Sequence, residues 1–122
     1  MKRRNSLIAL ILVVAISLLS MVACNMTPFG VAVCERSDYG NAILNVSLME
    51  LNERGINIGD KVRVSVGEFN EVLVLVDEIE KEEGKVQFWC DNQDGSIDLL
   101  IYNGDFMKTY GVSVGDVVTL TK

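Results

Sequence analysis

The ten residues Gly55-Ile56-Asn57-Ile58-Gly59-Asp60-Lys61-Val62-Arg63-Val64 return 56 positions later as Gly111-Val112-Ser113-Val114-Gly115-Asp116-Val117-Val118-Thr119-Leu120. A turn device used twice at that interval constrains the chain to two similar halves. In each copy a short helical run stops at a glycine, two apolar residues flank a small polar one, and Gly-Asp launches a strand of alternating pattern. Glycine supplies positive φ where the chain reverses, and an aspartate carboxylate accepts bonds from the amides of its own turn. The expected unit is strand, short helix, Gly-Asp turn, strand.

Strands are expected over Val31 to Glu35, Ala42 to Val46, Lys61 to Val66, Val72 to Val76, Val86 to Cys90, Ser96 to Tyr102 and Val117 to Thr121. Val62, Val64 and Val66 alternate with Lys61, Arg63 and Ser65, the mark of a half-buried antiparallel strand. Val72-Leu73-Val74-Leu75-Val76 is apolar on both faces and reads as central in the sheet. Ser47-Leu48-Met49-Glu50 has the spacing of a capping box, with Gly55 as the left-handed stop. Asp105 caps a second short helix, Phe106 to Tyr110. Asn92-Gln93-Asp94-Gly95 is a hairpin turn. Glu78 to Gly84 holds four glutamates strung along a polar run, which reads as a solvated loop rather than a converging oxygen cage.

Ahead of this domain, Lys2, Arg3 and Arg4 precede an uncharged run from Leu7 to Val22 that ends in Val22-Ala23-Cys24. A basic start, an apolar stretch and a small residue before the cut are the features of a secretion leader. Val-Ala-Cys resembles the bacterial lipobox, whose new N-terminal cysteine receives a lipid. Residues 1–23 are therefore expected to be a signal peptide, Cys24 the lipidation site, residues 24–30 a short tether containing the only proline, and residues 31–122 the folded domain. The expected location is the outer face of the bacterial cell membrane. An uncleaved single span, or cleavage without lipid, are the other readings of the same run.

Without residues 1–23 the chain has 99 residues, enough for one domain with one core. That leader takes three of the 11 basic residues and none of the 17 acidic ones, leaving a net charge of −9. Such a surface repels nucleic acid. There is no histidine, and the cysteines are too few and scattered for a zinc site, so the usual participants in metal and triad chemistry are missing. No cofactor and no catalytic residue is expected. Cys34 and Cys90 remain in the domain; an oxidising compartment permits a disulfide between them, and two buried thiols are the alternative. Phe88 and Trp89 read as packing residues of a strand.

The stretch Tyr39-Gly40-Asn41-Ala42-Ile43-Leu44-Asn45-Val46 resembles the C-terminal domain of the S-adenosylmethionine hydroxide adenosyltransferases, the family that includes the fluorinating enzyme. That family shows Phe-Gly-Asn, three further residues and Asn, for which Tyr39, Gly40, Asn41 and Asn45 stand here. The resemblance continues at Gly59-Asp60, Asn92, Gly95-Ser96-Ile97-Asp98, Gly104 and Gly115-Asp116, and covers Val31 to Lys122. It implies an all-β fold with two short helices, a closed seven-stranded Greek-key barrel, in agreement with the strand count. It makes Tyr39, Asn41 and Asn45 candidates for binding a ligand of the adenosine type, since an amide matches adjacent donor and acceptor atoms on a purine edge. The family's catalytic aspartate belongs to an N-terminal domain for which this chain has a leader instead. The resemblance thus implies a non-catalytic binding or interaction module, with a protein partner or a second copy of itself as its associate. The alternative is the adenine-covering half of an enzyme completed by a separate catalytic chain.

If Cys24 is the lipid site, the mature protein will partition with membranes, and Cys24→Ser will release it or leave the leader attached. Membrane fractionation with mass spectrometry of the N-terminal peptide checks this. Unmodified, soluble wild-type protein would contradict it.

Overall fold

The computed structural model describes residues 27–122. The leader and Cys24 lie outside the described residues. Seven strands and two short helices follow in the order β1 (Phe29–Arg36), β2 (Ala42–Leu44), α1 (Leu48–Glu53), β3 (Lys61–Val66), β4 (Phe69–Val76), β5 (Val86–Cys90), β6 (Ile97–Ile101), α2 (Phe106–Tyr110) and β7 (Val117–Thr121). The strands close into a barrel in the order β1-β2-β6-β5-β4-β3-β7. Every neighbouring pair is antiparallel except β4 with β5, so the barrel is mixed. Among the described residues no helix is long and apolar enough to cross a membrane.

The repeated turns are structural equivalents down to individual bonds. Gly59 and Gly115 have φ of +94° and +96°. The Asn57 amide donates to Asp60 Oδ2 at 2.8 Å, and the Ser113 amide to Asp116 Oδ2 at 2.9 Å. Each glycine amide also donates to a strand, Gly59 to Leu75 O and Gly115 to Val33 O, both at 2.8 Å. The same strand residues donate back, Leu75 to Asp60 O at 3.0 Å and Val33 to Asp116 O at 2.8 Å. The turns are thus stitched into the barrel wall. Ile56 and Val112, one residue past each helix stop, are buried in the core.

Strand registers show how the halves meet. In β3 with β7, Val64 faces Leu120, its own equivalent, while Arg63 faces Thr121 and Ser65 faces Thr119. In β2 with β6, Ala42 faces Leu99 and Ile43 faces Asp98. With a 56-residue offset both registers are symmetric about a single two-fold axis. Strand β4 is the exception. On one side of the barrel β1 pairs with β7 directly; on the other, β4 stands between β3 and β5. Inserting one strand into an antiparallel arrangement forces one parallel pair, and that pair is short, only Leu75 with Phe88 and Val76 with Trp89. A parallel pair also needs a crossover connection, here residues 77–85.

The run Val72 to Val76 is central in the closed order, between β3 and β5, but only one of its two apolar faces is buried. Val72 and Val74 are 47% and 41% exposed, because both lie on the outward face opposite Arg63 and Lys61, where β4 is paired with β3 alone and meets β5 only at Leu75 and Val76. Helix boundaries follow their caps. The Ser47–Glu50 capping box is formed at α1, and the Asp105 side chain accepts from the Lys108 amide at α2. Phe69, Phe106 and Tyr110 meet edge-on or tilted, with ring centroids 4.9 to 5.4 Å apart, and pack α2 across one end of the barrel.

Cys34 and Cys90 are both free. The disulfide is absent because they lie on opposite faces of the wall. Cys34 alternates with buried Val33 and is exposed; Cys90 belongs to the core. The paired alternative, two buried thiols, holds only for Cys90, whose pKa burial pushes up.

A Cβ at Gly59 or Gly115 would meet nothing within 4 Å, so substitution there costs backbone strain rather than a clash. Gly59→Val and Gly115→Val are each expected to destabilise by about 1–3 kcal/mol, and by similar amounts. Denaturant unfolding checks this; unequal losses, or none, would mean that the two turns are not under the same constraint.

Candidate functional site

The barrel interior is packed with side chains, so a site must lie outside it. Phe88, Leu99, Val64, Leu120 and Leu75 are fully buried there. The outer face of β6 is unusual, since outward-pointing Asp98 and Leu100 are also buried. Two loops cover them, the β1–β2 turn and the crossover at 77–85.

The β1–β2 turn carries the Tyr-Gly-Asn motif. Ser37 Oγ accepts from the Asn41 amide at 3.0 Å and the Tyr39 amide at 3.3 Å, and Ser37 O accepts from the Gly40 amide at 3.0 Å. Gly40 has φ +83°, and a Cβ on it would run into the Asp105 carboxylate. Its carbonyl accepts from the Met107 amide at 3.0 Å. This motif therefore seats the turn on the start of α2, where Arg36 also pairs with Asp105. Tyr39, at the apex, is 81% exposed.

The crossover is held through its backbone and through the partly paired carboxylates of Glu80, Glu82 and Glu83. Gln87, on the outer face of β5 and buried, accepts from the Glu80 amide at 2.7 Å and donates to Glu80 O at 2.9 Å. Asn92 Nδ2 and Trp89 Nε1 donate to Asp77 O at 3.1 and 3.4 Å, and Asn103 Nδ2 donates to Glu83 Oε2 at 2.8 Å. Lys85 pairs with Glu80. The run is an exposed loop, as its composition suggests, and these bonds hold it over β5 and β6. Among the described residues no group of three or more candidate ligands is placed to hold a metal ion.

Between the two loops lies a cleft of about 400 Å³, open on one side. Leu100, Ile101 and Ile79 make its apolar part, and Tyr39, Asn41, Tyr102 and Asn103 its polar rim. Asn41 Nδ2 faces Asp98 Oδ2 at 3.5 Å, a long contact that orients the amide rather than binding it tightly. Only the amide nitrogen can donate to a carboxylate, so Asn41 Oδ1 is left for a ligand. Asp98 also accepts from Ser96 Oγ at 2.9 Å. Burial raises the Asp98 pKa, opposed by the bonds from Ser96 and Asn41 and reinforced by nearby Asp94 and Asp91.

Of the residues singled out by sequence, Tyr39 and Asn41 line the cleft. Asn45 does not. It follows the other end of β2, exposed, with its amide donating to Ala32 O at 2.9 Å. Phe88 is in the core as expected, while Trp89 points outward and is half-buried. Sequence reasoning missed the rim residue Asn103, which has φ +54°; its place before Gly104 was the available turn signal. It also missed Asp98 as the group that orients Asn41, because a carboxylate in an alternating strand reads as solvent-facing.

No family model matches the chain, and no curated protein matches it. Among solved structures, the fold is similar to part of an uncharacterized conserved protein from Thermotoga maritima, with TM-score 0.64 and 17% identity over 79% of this chain and 38% of that one. It is also similar to part of a conserved hypothetical protein from Thermus thermophilus, with TM-score 0.53 and 19% identity over 75% of this chain and 34% of that one. The chain therefore spans well under half the length of either protein. At these identities the likeness is one of fold.

Proposed function

We propose that this protein is an exported, membrane-anchored lipoprotein whose barrel is a non-catalytic binding module, related to the C-terminal domain of the S-adenosylmethionine hydroxide adenosyltransferases. The observation that carries the binding role is the cleft itself: an apolar floor, two tyrosines on the rim, and an Asn41 amide aimed by a buried carboxylate. Such a site suits one face of a small planar group with a polar edge. Catalysis finds no support in the rim chemistry. Breaking the bond between a sulfonium sulfur and carbon needs an activated nucleophile held in line with the leaving group, and the lining offers only amides, phenols and alkyl groups. The adenine-covering half of a two-chain enzyme is the second reading, favoured by the cleft being open on one side.

Because a half-site leaves much of a nucleoside in water, adenosine is expected to bind the lone barrel no more tightly than about 1 mM, or about −4 kcal/mol. Nuclear magnetic resonance titration of the protein with adenosine and other planar amide-bearing compounds should shift Tyr39, Asn41 and Asn103, and Asn41→Ala should abolish those shifts. Turnover of S-adenosylmethionine by the purified chain would overturn the non-catalytic reading. Micromolar adenosine binding lost in Asn41→Ala would make the ligand specifically adenine.

A further inference from the structure

Donors and acceptors around the cleft are divided unevenly: the donors are taken up inside the protein and the acceptors are left open. Both asparagines of the rim lean on a carboxylate. Asn41 Nδ2 faces Asp98 Oδ2 at 3.5 Å, and Asn103 Nδ2 donates to Glu83 Oε2 at 2.8 Å. An amide nitrogen only donates and an amide oxygen only accepts, so each carboxylate turns the nitrogen to itself and leaves the oxygen over. Among the described residues nothing donates to either oxygen. Asn103 is exposed, and no buried side-chain oxygen among the described residues lacks a partner, so the oxygen of Asn41 is open as well.

The backbone follows the same division. The amides of Tyr39 and Asn41 both donate to Ser37 Oγ, that of Tyr102 to Lys85 O, and that of Gly104 to Ile101 O. Of the polar rim groups only the hydroxyls of Tyr39 and Tyr102 can turn either way.

Charge points in the same direction. No lysine or arginine lines the cleft. The cations of the two flanking loops are paired, Arg36 with Asp105 and Lys85 with Glu80 and Glu82. Asp98 is 4% exposed, and the charges that bear on it are those of Asp94 and Asp91, both negative. A flat cation beside these carboxylates is favoured by them and by the face of a rim tyrosine, whereas an anion is repelled.

We propose that the cleft takes a planar group that donates N–H bonds from its edge and carries positive charge, of the amidinium or guanidinium class, with Asp98 and Glu83 as positioning residues that turn the two asparagine oxygens to it. Its flat face lies on Leu100, Ile101 and Ile79, and carboxylates and phosphates are turned away. This rests on the reading of the cleft as a binding site.

Four benzene derivatives of similar shape separate donor chemistry from charge. Benzamidine and benzoate are of opposite charge; benzamide and acetophenone are both neutral, and in the second a methyl replaces the N–H-bearing group. Each is titrated into the protein at neutral pH while the Tyr39, Asn41 and Asn103 signals are followed by nuclear magnetic resonance. Benzamidine should bind about tenfold or more tightly than benzoate, and benzamide about fivefold more tightly than acetophenone, the effect of one net hydrogen bond. High salt should shrink the first margin and leave the second. Asn41→Leu, which removes an oxygen, should reduce both. Glu83→Gln, which keeps an acceptor for Asn103 and removes the charge, should lower only the benzamidine margin, whereas Glu83→Ala should lower both; Glu83 is exposed, so these changes leave the core intact. Equal binding of benzamide and acetophenone at the cleft overturns the donor preference and leaves the cleft a binding site. Binding of benzamidine with shifts at Trp89 and none at Tyr39 and Asn41, or no binding by any of the four, overturns the cleft reading and this inference together.

Discussion

The barrel depends on two reciprocal pairs of backbone bonds. Gly59 and Asp60 exchange an amide and a carbonyl with Leu75, and Gly115 and Asp116 do the same with Val33. Each pair ties a turn, which would otherwise hang free at the barrel's end, to the strand beside it. The positive φ at each glycine directs its amide to that strand, and the aspartate side chain closes the turn from within. Backbone donors that would be stranded near the core are thereby satisfied at no cost in side-chain polarity.

Symmetry around those turns is nearly complete, and its one breach has consequences for the surface. Strand β4 enters between β3 and β5 and creates the parallel seam. Closing that seam requires a crossover, and the crossover lies over β5 and β6, where Gln87 clamps it. One wall gains a second layer and a cleft; the other stays bare. The insertion of a single strand into a two-fold design is thus the origin of the cleft to which a function is assigned.

Much of this was legible in the sequence because it rests on local chemistry. Gly-Asp turns, the Ser47–Glu50 capping box and the Asp105 cap are short-range devices, and β3, α2 and β7 fall at the expected residues. The Tyr-Gly-Asn stretch pointed to the cleft through Tyr39 and Asn41 for the same reason: Gly40 marks a turn against Asp105. What was hidden is non-local. An apolar run such as Val72 to Val76 looks alike whether its second edge is paired or open, and only the closed order of strands decides. The same holds for Asp98, whose burial comes from loops distant in sequence, and for Cys34 and Cys90, whose opposite faces depend on alternation within separate strands. Asn45 shared a motif with Asn41 but stands at the other end of a three-residue strand.

Native-state hydrogen exchange of the Gly59, Leu75, Val33 and Gly115 amides tests this account most directly. If the stitched turns hold the barrel closed, all four will exchange only through global unfolding, although both glycines sit in solvent-exposed turns. Rapid local exchange at Gly59 and Gly115, with the neighbouring strands still protected, would contradict it.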